Sequence, residues 1–119
     1  MSIEVSRYID KRILSLLGLA SELKDELPID NVNFVLANQI TRKIKMTEEV
    51  YGRAKETRRE EEFICAMNKV KKEMKETRYW LRILKESNTG MSQRAIGSLE
   101  NESEELIALL TKLLYFVTL

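Results

Sequence analysis

At 119 residues the chain has room for one hydrophobic core and none for a second, since domains of about 100 to 150 residues normally enclose a single core. Hydrophobic residues make up 44% and charged residues 33%, with four Gly and one Pro, which excludes a disordered or β-rich chain and favours long helices. Twenty Lys and Arg against nineteen Asp and Glu exclude a chain-wide field that would recruit nucleic acid or an anionic membrane, so such binding requires a local patch.

The elements follow in chain order. Ile9, Ile13, Leu16, Ala20, Leu23 and Leu27 alternate at four and three residues, which places all six on one face of a helix over about 4–27, stopped by Pro28. Asp30 or Asn31 is suited to cap a second helix, 31–56, whose stripe of Leu36, Ile40, Thr47, Val50 and Ala54 is the weakest of the four. Thr57 with Glu60 fits the capping box, in which each side chain satisfies an otherwise unpaired backbone N–H, and opens a third helix over 58–86. An alternative runs one bent helix straight across Thr57.

The third helix carries the clearest seam: Phe63, Met67, Val70, Met74, Thr77, Leu81 and Leu84. Ser87 to Gly90 break it with turn residues, Gly90 being the one best able to take a positive φ. A fourth helix, 92–117, then places Leu99, Leu106, Leu110, Leu113 and Val117 at heptad intervals, with Ser103 as the polar exception and Gly97 as a point of local irregularity. Four amphipathic helices joined by short turns predict an all-α, antiparallel up-down-up-down four-helix bundle that uses residues 1–119 as one domain.

Catalytic chemistry has little to work with. Histidine is absent, which removes the commonest general base, the commonest transition-metal ligand and the Glu-x-x-His pair of bundle metal sites. Glu48, Glu49, Glu73 and Glu76 could hold a cation only as an all-carboxylate set, and their simpler reading is solvated or i,i+4-paired glutamates. Four scattered glycines build no phosphate-cradling loop. Cys65 has Lys69 four residues on but no histidine to activate it, and a single thiol fits a reducing compartment. Lys11 and Arg12 before the run Ile13 to Ala20 mimic a secretory signal, yet Glu4 and Asp10 precede it, and the run is far short of the ~20 residues that span a bilayer. The expectation is a cytoplasmic protein that is not an enzyme, with no cofactor, no metal and no membrane.

Two features point to binding. Lys71, Lys75, Arg78, Arg82 and Lys85 form a second stripe beside the seam of the third helix, a basic face for RNA or an acidic partner. The bland alternative is that their methylenes merely cover the core edge, or that Glu100, Glu102, Glu104 and Glu105 neutralise them within one chain or between subunits. Tyr79 and Trp80, on the opposite flank, and Tyr115 and Phe116, at the end of the fourth helix, widen the apolar surface and are candidates for an oligomer interface. A bundle that binds only protein, with no nucleic-acid role, is the competing functional reading.

Glu76-Thr77-Arg78-Tyr79-Trp80-Leu81, preceded by Phe63-Ile64 and Lys72-Glu73, resembles the signature of the four-helix-bundle proteins encoded in intervening sequences of 23S ribosomal RNA genes, often labelled ribosomal proteins. Gln39, Arg42, Tyr51, Ala54 and Arg58 fall on the same pattern without a gap, and Glu105-Leu106-Ile107 through Leu113 resembles the family's last helix, so the likeness covers about residues 36–86 well and the ends loosely. The family's Ser-Ile-x-x-Asn-x-x-Glu segment is replaced here by Met46-Thr47-Glu48-Glu49-Val50-Tyr51-Gly52-Arg53. The resemblance implies a ring-like homopentamer, no catalysis, and relatives that serve as accessory RNA- and protein-binding subunits beside the reverse transcriptases of diversity-generating retroelements. It does not imply membership of the ribosome.

Overall fold

A computed structural model describes residues 1–89 and 93–118. Four helices follow one another, α1 (Ile3–Glu26), α2 (Asn31–Glu56), α3 (Glu60–Ser87) and α4 (Arg94–Thr118). Among the described residues there is no strand, and the fold is an all-α four-helix bundle. Its extents are 46 × 20 × 19 Å. Each helix packs on its neighbours in a closed square, α1 on α2, α2 on α3, α3 on α4 and α4 on α1, while among the described residues no Cα atoms of a diagonal pair come within 8 Å. Connections this short allow only antiparallel neighbours.

The helix ends follow local chemistry. Ser2 Oγ accepts a hydrogen bond from the Val5 N–H at 3.1 Å and starts α1. Leu27 closes it in an extended conformation (φ −77°, ψ 144°), which the ring of Pro28 demands of the residue before it. Asp30 caps α2, its Oδ1 accepting from the Asn33 N–H at 2.8 Å. The expected capping box is not formed. Thr57 Oγ1 donates to the Ala54 carbonyl at 2.8 Å and so serves the end of α2, while Arg59 occupies the start of α3 without a side-chain capping bond. Three glutamates, Glu60 to Glu62, instead complement the positive end of the α3 dipole. The chain does break at Thr57, so the single bent helix is ruled out. The expected helix start at Ser92 and the turn at Gly90 lie outside the described residues. Helix α4 runs through Gly97 without interruption, the Gly97 N–H donating to the Gln93 carbonyl at 2.9 Å.

The core is the sum of the four seams. Ile9, Ile13, Leu16, Ala20 and Leu23 bury the inner face of α1, and Met67, Val70, Met74, Thr77, Leu81 and Leu84 that of α3, with Phe63 and Leu27 half-buried at the ends. Each such large apolar side chain contributes about 1.5–3 kcal/mol on burial. On α2, Leu36, Ile40, Thr47 and Ala54 are buried as spaced and are joined by Asn33, Ala37, Ile44 and Tyr51, while Val50 is only half-buried on the flank. Tyr51 is among the largest fully buried side chains of the core. Its ring is enclosed, its hydroxyl donates to the Ser6 carbonyl of α1 at 3.2 Å, and Lys55, which lies over the ring, pairs with Asp10 at 2.9 Å. On α4, Leu99, Ser103, Leu106 and Leu110 are buried as spaced, but Leu114 takes the place expected of Leu113, which is half-buried.

Polar groups inside the bundle are mostly satisfied. Thr47 and Thr77 each donate to the carbonyl one turn back at 2.9 Å. At the end that carries the α1–α2 turn, the amides of Asn33 and Asn88 exchange hydrogen bonds at 3.1 and 2.9 Å. Asn88 also donates to the Leu84 carbonyl at 2.8 Å, and Gln93 donates to the Asn88 carbonyl at 3.0 Å. This network ties α2, α3 and the entry to α4 together.

Candidate functional site

The basic stripe exists as one edge of α3. Lys71 and Arg78 are half-buried along the seam, and Lys75, Arg82 and Lys85 are exposed. Lys85 pairs with Glu100 at 3.3 Å, which fixes this edge as the one beside α4. Lys71, Lys75, Arg78 and Arg82 form no ion pair among the described residues. The expected neutralisation by α4 is thereby reduced to one residue. Glu102 and Glu105 point the other way, to Arg12 of α1 at 2.6 and 2.5 Å, and Glu104 is exposed and unpaired among the described residues. Arg12 is further held by the Tyr8 hydroxyl and then by Glu102, both of which push its guanidinium pKa well up. Two of the four glutamates of α4, Glu102 and Glu105, are therefore committed to α1.

On its outward side α3 meets α2 in a groove of about 500 Å³ bordered by Gln39, Lys43, Lys72, Glu76, Tyr79 and Trp80, with Lys75 of the basic stripe also on its border. Lys43 is the electrostatic centre of this joint. Its ammonium reaches Glu76 at 2.5 Å and Glu73 at 3.2 Å, and the hydrogen bond to Glu76 above all raises its pKa, against the cost of burial. Glu73 Oε2 is buried without a well-aligned hydrogen bond, so the neighbouring ammonium is what balances its charge. Two of the four glutamates considered for a cation thus already face a lysine. Among the described residues no cluster of three metal-ligating side chains occurs, and no helix is long and apolar enough to cross a membrane.

The two aromatic pairs occupy different places. Trp80 is half-buried against the core and meets exposed Tyr79 edge-on, ring centroids 6.0 Å apart. Tyr115 and Phe116, both exposed, make a similar contact at 5.7 Å. With Lys85 beside Glu100, antiparallel packing puts Tyr115 alongside residue 70 of α3, roughly 14 Å along the axis from Tyr79. The two pairs therefore sit at different heights of the bundle.

Sequence spacing located the α3 edge but not Gln39, Lys43 and Lys72. Gln39 and Lys43 lie four apart on the flank of α2, a signal visible only once α3 is known to be its neighbour. Lys72 belongs to the same basic run but falls off the four-three spacing. Cys65 is exposed. The α3 edge and the groove together hold cations, two aromatic rings and the Gln39 amide, the means to hold an extended anion, beside the Glu76 carboxylate that Lys43 engages. Comparison with protein-family models, curated proteins and solved structures finds no match for this chain.

Proposed function

We propose that the protein is a non-catalytic, homo-oligomeric scaffold of the cytoplasm that binds RNA through the α3 edge formed by Lys71, Lys75, Arg78 and Arg82. The observation that carries this reading is that these four cations have no carboxylate partner within the described chain, whereas Arg12, Lys43 and Lys55 do. Unpaired cations aligned along a 46 Å rod match the repeating charge of a phosphate backbone. Assembly of several subunits, five by the resemblance to the intervening-sequence proteins, would repeat the edge and convert weak contacts into avidity. The same resemblance makes a nucleic-acid enzyme a natural further partner.

Fluorescence-anisotropy titration of a structured RNA across a salt series tests the proposal. Binding should weaken steeply with salt, and changing Lys75, Arg78 and Arg82 together to Gln should flatten the log–log slope by about 2 to 3 per subunit engaged. An unchanged slope removes this edge from RNA binding. A second reading, a bundle that contacts only protein, is favoured by the exposed Tyr79 beside Trp80, and it predicts no salt-dependent RNA affinity at all.

A further inference from the structure

The first turns of α2 are turned inside out. Asn33 is buried, while Val32, Phe34 and Val35 around it are each more than half exposed, and Ile29, between Pro28 and the cap Asp30, is 106% exposed. Neither helix formation nor the core requires apolar residues at these four places. Together they offer on the order of 500 Å² of apolar surface, as large a patch as a monomer ordinarily tolerates. Ile29 forms one wall of a cavity of about 270 Å³ whose other apolar walls are Leu27, Pro28, Phe34 and Ala37, with Lys24, Asp30 and the amides of Asn33 and Asn38 also in its lining.

We propose that this tip is a homodimer interface, in which a two-fold axis joins two protomers end to end and sets each Ile29 into the other's cavity. Three properties select a second copy as the occupant. The projecting side chain and the hollow that receives it sit side by side on one patch, which is the arrangement an isologous contact needs. The lining carries one charge of each sign, so the two-fold operation brings Lys24 of each protomer toward Asp30 of its mate. Two copies would bury about 1,000 Å² of apolar surface, which reaches the lower bound for a specific interface. The surface is separate from the α3 edge and from Tyr79 and Trp80, so it adds an axial contact to any lateral assembly.

Sedimentation equilibrium from about 1 to about 100 μM, the range suited to so small an interface, tests this on the full chain. Ile29→Asp should halve the assembly mass at unchanged helicity, because the side chain it replaces is in solvent within the protomer. In a Cys65→Ser background, Ile29→Cys should give a disulfide-linked dimer under mild oxidation. A wild-type monomer throughout the range, an unaltered mass in Ile29→Asp, or the absence of the linked dimer would each overturn the proposal. A mass that drops with Tyr79→Ala but not with Ile29→Asp would remove the tip and leave a lateral interface standing.

Discussion

Replacing Ser103 with alanine should make this protein more stable. Ser103 is fully buried in the seam of α4, between Leu99 and Leu106, and its hydroxyl finds no hydrogen-bond partner among the described residues. Its counterparts Thr47, Thr77 and Thr111 all donate to the carbonyl one turn back, at 2.9, 2.9 and 2.7 Å. A buried hydroxyl without a partner costs about 1–2 kcal/mol, and alanine is the better helix former by up to about half a kcal/mol. Loss of one oxygen's volume returns a few tenths of a kcal/mol to the debit side. The net expectation is a gain of about 1.5 kcal/mol. With an unfolding entropy of about 2.1 cal/mol/K per residue, that is a rise in Tm of roughly 6 °C. Differential scanning calorimetry at matched protein concentration measures it, since oligomers melt in a concentration-dependent way. A Tm that stays put or falls would mean that the hydroxyl is engaged in the folded assembly.

Two further predictions concern the polar joints. Asn88→Leu strands the Asn33 amide and should cost about 2–3 kcal/mol by urea denaturation, whereas the double change Asn33→Leu with Asn88→Leu should cost less than the two single changes summed; simple additivity would show that the amides do not act as a pair. Lys43 (held by Glu76), Lys55 (held by Asp10) and Tyr51 (by burial) all have raised pKa values in the folded protein. The native state thus keeps these protons to higher pH than the unfolded chain does, so stability is level below about pH 10 and declines above it. Lys43→Met should make urea midpoints less sensitive to pH between about 10 and 12, and an identical alkaline slope in that variant would rule Lys43 out as a contributor.

The bundle was legible because α1 and α3 repeat Ile, Leu, Met and Val at strict four-three intervals, a pattern with one packing solution. On α2 the spacing found Leu36, Ile40, Thr47 and Ala54 but chose Val50 over Tyr51, since hydropathy favours the valine, while the tyrosine turns inward with its hydroxyl received by Ser6 of α1. Thr57 illustrates a different limit. A threonine between two helices can serve the end of one or the start of the next, and spacing to Glu60 cannot decide which. The α3 edge was visible in one helix's own periodicity, but the groove beside it was not, because Gln39 and Lys43 acquire meaning only through the neighbour that α3 becomes. Likewise, the four glutamates of α4 look like one acidic face until Arg12 claims two of them.

The paired amides of Asn33 and Asn88 also limit how the helices can be assembled. Apolar contact alone holds height along the axis only loosely, and grease by itself would resist a slide of α2 along α3 weakly. The amide couple, like Lys43 with Glu73 and Glu76, sits at one fixed height and marks the correct alignment, since a slipped version would leave both Oδ1 acceptors without the donors they now have.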